Sequence, residues 1–361
     1  MSASVFILGG GDVGLRIADG LLRQDGIGRL IVADFDAARV GPSVAMLDCC
    51  HQAVVQFEHL DGGDPKALER ALRSTRPDLI VQAASLISPW AIIGRDHPTA
   101  QALNSAGIAV QLPAHLPIVL NLMRVVRDAD IEAPVANVSM PDIIHPILAT
   151  QGLAPTIGLG NVSILLLRAL AAQKHRHPEL PADARPLLRM IGHHKHVYGV
   201  MLAAPPEDAA DRARVYVGEE GRRDDALAYE GTPVPTGPVY NVITVAAALP
   251  VLAALLPGAK PIRFSAPAPD GLPGGYPVRI EEGAVSLDLP LGAGLDEAIA
   301  FNQRMSAADG LAEITSAGQV SFTQQAEAAV RDVDPRLAEP FDPWQGADRT
   351  SRLLQIIRAI E

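Results

Sequence analysis

The sequence predicts an α/β protein: an N-terminal, doubly wound parallel sheet of the Rossmann type, followed by an α+β domain with antiparallel strands. Through about the first 160 residues, short apolar runs alternate with helical patterns. Such alternation is typical of parallel sheets whose crossover helices cover both faces. A glycine-rich turn follows the first apolar run, at residues 9–14. After residue 160, longer helices and strand pairs with glycine turns replace the alternation, which indicates a second domain.

The elements of the first domain follow from apolar runs and from residues that begin helices. Leucine and isoleucine recur at helical spacing between Leu15 and Leu22, directly after the glycine turn. Asp64-Pro65 is an N-cap residue followed by proline at the first helical position, so another helix begins there. A third helix is predicted over 119–126. The apolar runs predict strands at 5–8, 30–33, 54–57, 79–81, 134–138 and 155–158.

The second domain begins with a helix that is apolar on all sides, at 162–172, and that links the two domains. We predict a long strand from Leu187 to Leu202 and a long helix from Leu295 to Ile314. Further elements are strands at 214–217, 262–265, 277–280 and 285–287 and a helix at 242–256. The predicted domains are 1–160, 161–331 and, as a linker with a C-terminal helix, 332–361.

Composition and charge exclude several classes of partner. The chain has 361 residues, with 30 Lys and Arg against 41 Asp and Glu, and a net charge of -11. We therefore expect no binding to nucleic acid or to a membrane surface. The only cysteines, Cys49 and Cys50, are adjacent, so a disulfide framework is excluded and a cytoplasmic location is expected. Pro250 interrupts the apolar segment 242–256, which we interpret as a buried helix.

The glycine turn predicts a dinucleotide site. Gly9, Gly11 and Gly14 match the spacing G-x-G-x-x-G between a strand and a helix, with Asp12 and Val13 in the first helical turn. In this motif the glycines give the tight turn, the close approach of the pyrophosphate and the close helix–sheet packing. Asp34 ends the second strand, where a carboxylate binds both ribose hydroxyls and repels a 2′-phosphate. The sequence therefore predicts NAD as cofactor, with Asp36 as the alternative carboxylate.

Two later strand ends add candidate cofactor contacts, because ligands in such sheets lie outside the carboxyl ends of the strands. After the strand at 79–81 come small residues that allow close approach, and after the strand at 134–138 come two polar residues near the expected nicotinamide. These candidates are Ala83, Ala84, Ser85, Asn137 and Ser139.

With these residues in place, the chain resembles the lactate/malate dehydrogenase family across roughly residues 4–315. The glycine turn, Asp34, the run 135–142, the run Ile157-Gly-Leu-Gly160 and the segment 190–196 carry the resemblance. In that family a strand ending in Asn-Pro-x-Asp leads to Ile-Gly-x-Gly and the linking helix, and an Ile-Gly-x-His segment carries the catalytic histidine. The resemblance implies an NAD-dependent enzyme acting on a small molecule, as a homodimer or homotetramer.

The chain departs from the family at the substrate-binding residues. Counted from Gly160, the aspartate that orients the family's histidine falls on Ile164, and the arginine that holds the substrate carboxylate falls on Leu167. Arg168, one position later, and Arg95, in an expanded loop after the fourth strand, are the remaining candidates. An α-keto carboxylate needs a guanidinium at a fixed place. We therefore expect neither lactate nor malate as the ordinary substrate, and a histidine without its carboxylate partner.

A histidine cluster at 193–196 supplies the candidate acid/base group. On a strand, period-two geometry would place His194, His196 and Tyr198 on one face. The resemblance places His194 at the family's acid/base position, and an imidazole suits proton transfer to a developing alkoxide. No carboxylate or cysteine is spaced to complete a zinc site, so no metal is predicted.

The sequence thus predicts an NAD-dependent oxidoreductase that transfers a hydride between nicotinamide and a carbonyl or imine carbon. The catalytic candidates are His194 and His196, and the substrate candidates are Arg95, Arg168 and Tyr198. One alternative is a dinucleotide-binding sensor or assembly protein without turnover. Another is an imine-reducing dehydrogenase of the opine or saccharopine type, since Asp61, Asp64 and the segment 78–84 are similar to that family's N-terminal domain.

Overall fold

The computed structural model describes residues 2–234 and 237–360. Its first half is built on a six-stranded parallel sheet with the strand order β3-β2-β1-β4-β5-β6, which confirms the predicted doubly wound sheet. The strands are β1 (Ala3–Leu8), β2 (Ile27–Asp34), β3 (Val54–His59), β4 (Leu79–Gln82), β5 (Val135–Asn137) and β6 (Ile157–Gly158).

Helices cover both faces of this sheet, because successive residues of β1 are buried in two different hydrophobic clusters. Phe6 and Leu8 belong to one hydrophobic cluster, while Val5 and Ile7 belong to another on the opposite face. Asp64 caps its helix as predicted, since its side chain accepts from two backbone amides. The helices are α1 (Asp12–Leu22), α2 (Ala37–Cys50), α3 (Pro65–Thr75), α4 (Pro98–Ser105), α5 (Leu112–Asp128) and α6 (Pro141–Ala149).

In the described residues of the second half, three small antiparallel sheets have helices packed against them, which confirms the predicted antiparallel strands. The strands are β7 (Leu188–Ile191), β8 (Arg214–Val217), β9 (Arg222–Arg223), β10 (Ile262–Pro267), β11 (Gly275–Glu281), β12 (Ala284–Leu287), β13 (Leu311–Ile314) and β14 (Val320–Phe322). The helices are α7 (Val162–Arg176), α8 (His194–Met201), α9 (Asn241–Ala254), α10 (Leu295–Ala308), α11 (Gln324–Arg331) and α12 (Ala347–Arg358).

The predicted strand from Leu187 to Leu202 is wrong. The strand β7 ends at Ile191, and the helix α8 begins two residues after Gly192. A reciprocal cap explains the change: the side chain of His193 accepts from the amide of Lys195, and Nδ1 of His196 accepts from the amide of His193. Histidine is not a usual capping residue, so the sequence pattern did not reveal this helix.

The long helix predicted to Ile314 is also too long, because α10 ends at Ala308 and Gly310 adopts a left-handed conformation before β13. The segment 332–346 is not a free linker. Within it, Phe341 pairs with Val320 through two backbone hydrogen bonds, and the buried carboxylate of Asp334 binds Arg352. The helix α12 then packs along α5, where Thr350 donates to the carbonyl of Pro113.

One helical segment of the described chain, Ile108–Asp128, is long and apolar enough to cross a membrane. Its most apolar window is 78% buried inside the protein. This burial makes it a core helix of the first half, packed between the sheet and α12.

Candidate active site

A cavity of about 610 Å³ lies outside the carboxyl ends of the parallel strands, where open α/β sheets bind ligands. Its wall includes residues that follow each of the six strands of the parallel sheet. Residues of α5, α7, α8, α9 and α12 complete the wall. The side-chain amide of Asn241, at the start of α9, donates to the carboxylate of Asp12 at 2.8 Å. This hydrogen bond joins the two halves of the chain beside the cavity.

The glycine turn has the geometry that a pyrophosphate site needs. Gly9 has a φ of +108°, and a Cβ there would lie 2.6 Å from the amide nitrogen of Ala84. A Cβ on Gly14 would lie 1.9 Å from the carbonyl oxygen of Gly9, so Gly14 packs beneath the turn and does not line the cavity. Gly11 differs, because a Cβ there would meet no protein atom within 4 Å. The open space above Gly11, at the N-terminus of α1, is where a phosphate fits.

Asp34 lies at the end of β2 on the cavity wall, and Asp36 does not line the cavity. The two carboxylate oxygens of Asp34 accept from the amides of Gly10, at 2.7 Å, and Asp36, at 2.9 Å. The guanidinium of Arg39 lies 3.4 Å from Asp34 and 3.2 Å from Asp36. Two carboxylates thus outweigh this single cation, and the remaining negative charge disfavours the 2′-phosphate of NADP.

The predicted contacts after β4 and β5 reach the cavity with one exception. Ala83, Ala84, Ser85 and Ser139 all line it. Asn137 does not, because its side chain closes the turn after β5: Oδ1 accepts from the amide of Ser139 and Nδ2 donates to the Ser139 carbonyl. Asn137 therefore supports Ser139 from beneath.

His194 is the histidine of the cluster that lines the cavity. About a third of its side chain is exposed, and Nδ1 lies 2.7 Å from Oδ2 of Asp309. Asp309 follows α10 and is buried. The bond to a carboxylate fixes the proton on Nδ1, so Nε2 is the nitrogen left to exchange protons with a ligand. The expectation that this histidine lacks a carboxylate partner is wrong, since the partner comes from a different element than in the family.

The pKa values of this pair move in opposite directions. Burial alone would lower the pKa of His194, but the charge and the hydrogen bond of Asp309 outweigh it and raise the pKa above its usual value. Burial alone would raise the pKa of Asp309, but the charge and hydrogen bond of His194 outweigh it and lower the pKa. Both shifts favour an imidazolium paired with a carboxylate.

A second carboxylate, that of Asp142, stabilises the N-terminus of α8. Oδ2 of Asp142 accepts from the amide of His194 at 2.6 Å, and burial raises the pKa of Asp142 to about 6. The residues beside it are strained: Met140 and Asn161 line the cavity with φ values of +41°. Left-handed conformations of residues other than glycine are costly and occur preferentially at functional sites.

His196 does not reach the cavity, which corrects the hypothesis of two catalytic histidines. Its Nδ1 accepts from the amide of His193, its Nε2 donates to the carbonyl of Asp211, and its ring stacks on Phe301. Burial lowers its pKa to about 4. Its role is to begin and anchor α8.

The three predicted substrate contacts also lie outside the cavity. Arg95 is exposed in the loop after β4. Arg168 donates to the carbonyls of Glu230 and Thr232, and Tyr198 points to solvent with 62% of its surface exposed. Tyr198 was placed on the face of His194 only by the strand geometry, which the helix α8 replaces.

The cavity wall contains residues that the sequence did not identify, and few carried a signal. Gln111 and His115 lie one helical turn apart and are buried, and burial lowers the pKa of His115 to about 4, so that its ring is neutral. Nδ1 of His115 lies 3.2 Å from Oγ of Ser139. Other wall residues that the sequence did not identify include Trp90, Ile93, Val197, Tyr240, Leu354 and Arg358.

Comparison with solved structures shows the fold of malate dehydrogenases. The chain is similar to malate dehydrogenase from Picrophilus torridus in its apo form, at 13% identity and a TM-score of 0.51, over 86% of this chain and 95% of the other. Malate dehydrogenase from Salinibacter ruber matches at 14% identity and a TM-score of 0.50, over 84% and 94%. The predicted resemblance is thereby confirmed at the level of the fold.

A second kind of solved structure matches a smaller share of the chain. The UDP-glucose 4-epimerase of Thermus thermophilus, solved in complex with NAD, matches at 24% identity and a TM-score of 0.28. The match spans 39% of this chain and 39% of the length of that epimerase. No family model matches the chain, and no curated protein is significantly similar to it in sequence.

Proposed function

We propose that this protein is an NAD-dependent oxidoreductase in which His194 exchanges a proton with the oxygen of a carbonyl or alcohol substrate. One observation carries the proposal: the glycine turn and His194, whose Nδ1 is held by Asp309, face the same cavity. A dinucleotide site beside an acid/base group is the combination that hydride transfer requires.

The residues of the first half would hold the cofactor. Gly11 leaves room for the pyrophosphate at the N-terminus of α1, and Asp34 lies where the adenosine ribose would bind. The nicotinamide would lie near Ser139, beyond β5. Bound NADH supplies the hydride that reduces the carbonyl carbon.

His194 would supply the proton in the same step. In the reductive direction the proton on Nε2 passes to the carbonyl oxygen, so that the ketone becomes an alcohol as NADH is oxidised. Asp309 holds the ring and stabilises its charged form. Because the pKa of His194 is raised, we expect reduction to be fastest below that pKa and to decline as the pH rises through it.

The proposal is tested with the purified protein and deuterium-labelled NADH. Calorimetry would measure binding of NADH, and mass spectrometry would detect deuterium in the alcohol formed from a panel of ketones. We expect tight binding of NADH and labelled product. Binding without any labelled product from the panel would instead support a sensor or assembly protein.

A valine in place of Gly11 should separate cofactor binding from folding. A Cβ at this position meets no protein atom, so we expect Gly11→Val to unfold within a few degrees of the unmodified protein. The same side chain would occupy the space of the pyrophosphate, and we expect NADH affinity to fall about 100-fold or more. Calorimetry and thermal unfolding measure the two effects. Undiminished NADH binding would place the pyrophosphate elsewhere.

Asp34 should set the choice between the two dinucleotides. We expect NADH to bind more tightly than NADPH. We expect Asp34→Ala to weaken the binding of NADH about 10- to 100-fold, because the ribose hydrogen bonds are lost. The difference in affinity between NADH and NADPH should therefore become smaller. Asp36→Ala is the matched control, because Asp36 does not line the cavity. Equal affinities of the unmodified protein for both dinucleotides, measured by calorimetry, would contradict this role.

A further inference from the structure

The cavity that His194 lines also has a group of mostly apolar wall residues, which we call the apolar chamber: Trp90, Ile93, Ile164, Val197 and Tyr240. Trp90 and Tyr240 pack edge to face with ring centroids 6.2 Å apart. Ile164, Val197 and Tyr240 belong to one hydrophobic cluster. Aromatic and branched aliphatic walls of this kind bind ligands of matching apolar shape.

The chamber is adjacent to the proton donor. Val197 lies three residues after His194 on α8, so the two side chains are on the same face of the helix. Ile164 comes from α7 and packs in the cluster that contains Val197. A substrate whose carbonyl oxygen reaches Nε2 of His194 therefore places the rest of its body against these side chains.

The chamber offers no permanent cation for a carboxylate. Among the residues that the structure describes, the only Lys or Arg residues on the cavity wall are Arg39 and Arg358. Arg39 is next to Asp34 at the end of β2, and Arg358 comes from α12. Leu167, at the position of the family's arginine, packs into the hydrophobic cluster of Ile164. A carboxylate packed against the side chains of the chamber would lose its water without gaining a charged partner from them.

From the apolar chamber and its missing cation, we infer that the substrate is an uncharged ketone, or the corresponding secondary alcohol, with an aromatic or branched aliphatic body. This inference rests on the proposed function and goes beyond it, because it specifies the chemical class of the two groups that the carbonyl carbon carries. In reduction the carbonyl carbon gains a hydride from NADH, the oxygen gains the proton of His194, and NAD+ leaves.

Matched pairs of substrates test the inference. Phenylacetone and phenylpyruvate differ only in a methyl or a carboxylate group on the carbonyl, and methyl isobutyl ketone and α-ketoisocaproate form the same pair with a branched body. We expect kcat/KM for each ketone to exceed that of its keto acid about 100-fold or more. Calorimetry in the presence of NAD+ should show the same preference in binding, without turnover.

A variant of the chamber adds an independent measurement. Tyr240→Ala removes one wall, and we expect the Kd of phenylacetone in the presence of NAD+ to rise about tenfold or more. Tyr198→Ala is the matched control, because this exposed tyrosine lies outside the cavity, and it should leave that Kd unchanged.

These experiments distinguish a wrong substrate class from a wrong proposed function. If NADH binds and a keto acid is preferred over its ketone, the inferred substrate class is wrong while the proposed function stands. If NADH binds but neither ketone binds, the inference is overturned in the same way. If NADH does not bind at all, the proposed function fails, and the inference fails with it.

Discussion

Replacing His194 with asparagine is expected to reduce the rate of ketone reduction about 100- to 10,000-fold, because a positioned general acid contributes a factor of this size. The asparagine amide can still donate to Asp309 in place of Nδ1, so the buried carboxylate keeps a partner. What is lost is the titratable nitrogen that faces the cavity. The loss should therefore be in kcat, with little change in stability.

The measurement is kcat alongside the Kd of NADH. We expect the Kd to change no more than about threefold, since the cofactor contacts are made mainly by the first half of the chain. His175→Asn is the matched control, because His175 is exposed at the end of α7. Full activity of His194→Asn would show that another group supplies the proton, and would remove the central claim of the proposed function.

Replacing Asp309 with asparagine should lower kcat by a similar factor, but for a different reason. The amide of the asparagine can donate to Nδ1 of His194, which favours the tautomer with the proton on Nε2 in place of Nδ1. A change of tautomer of this kind can lower the kcat of an enzyme up to about 10,000-fold. The variant also removes the charge that raises the pKa of His194. The pH above which reduction declines should therefore move to a lower value.

A pH profile of kcat distinguishes this positioning role from a structural one. Asp309 does not line the cavity, so the Kd of NADH should not change. The control is Asp296→Asn, which alters an exposed carboxylate in the first turn of α10, the helix that Asp309 follows. A reduced kcat with an unchanged pH profile would mean that Asp309 stabilises the fold around His194 without setting its protonation.

The cofactor side of the site was largely predictable from the sequence, because its determinants are local. Gly9, Gly11 and Gly14 act within a single turn, and Asp34 ends the next strand. Such a turn has few possible structures, and strand ends in a parallel sheet meet at one edge whatever the remaining packing. The exception was Asn137, whose side chain bonds to its own turn and does not line the cavity.

The part of the site around His194 was predictable only in part, because the contacts of His194 join segments that are distant in the sequence. His194 was identified through the family resemblance, but its environment was not. Asp309 lies 115 residues further along the chain, at the end of a helix whose predicted length was too great. No local pattern connects the two residues.

What the sequence determined by itself is therefore the doubly wound sheet and the glycine turn. Periodicity and turn chemistry encode these features over a few residues. Only the tertiary structure decided which histidine faces the cavity and which carboxylate serves it. The cap between His193 and His196 turned a predicted strand into a helix, and that helix moved His196 and Tyr198 away from the site. Long-range packing then buried Asp309 against His194 and so supplied the carboxylate partner of the ring.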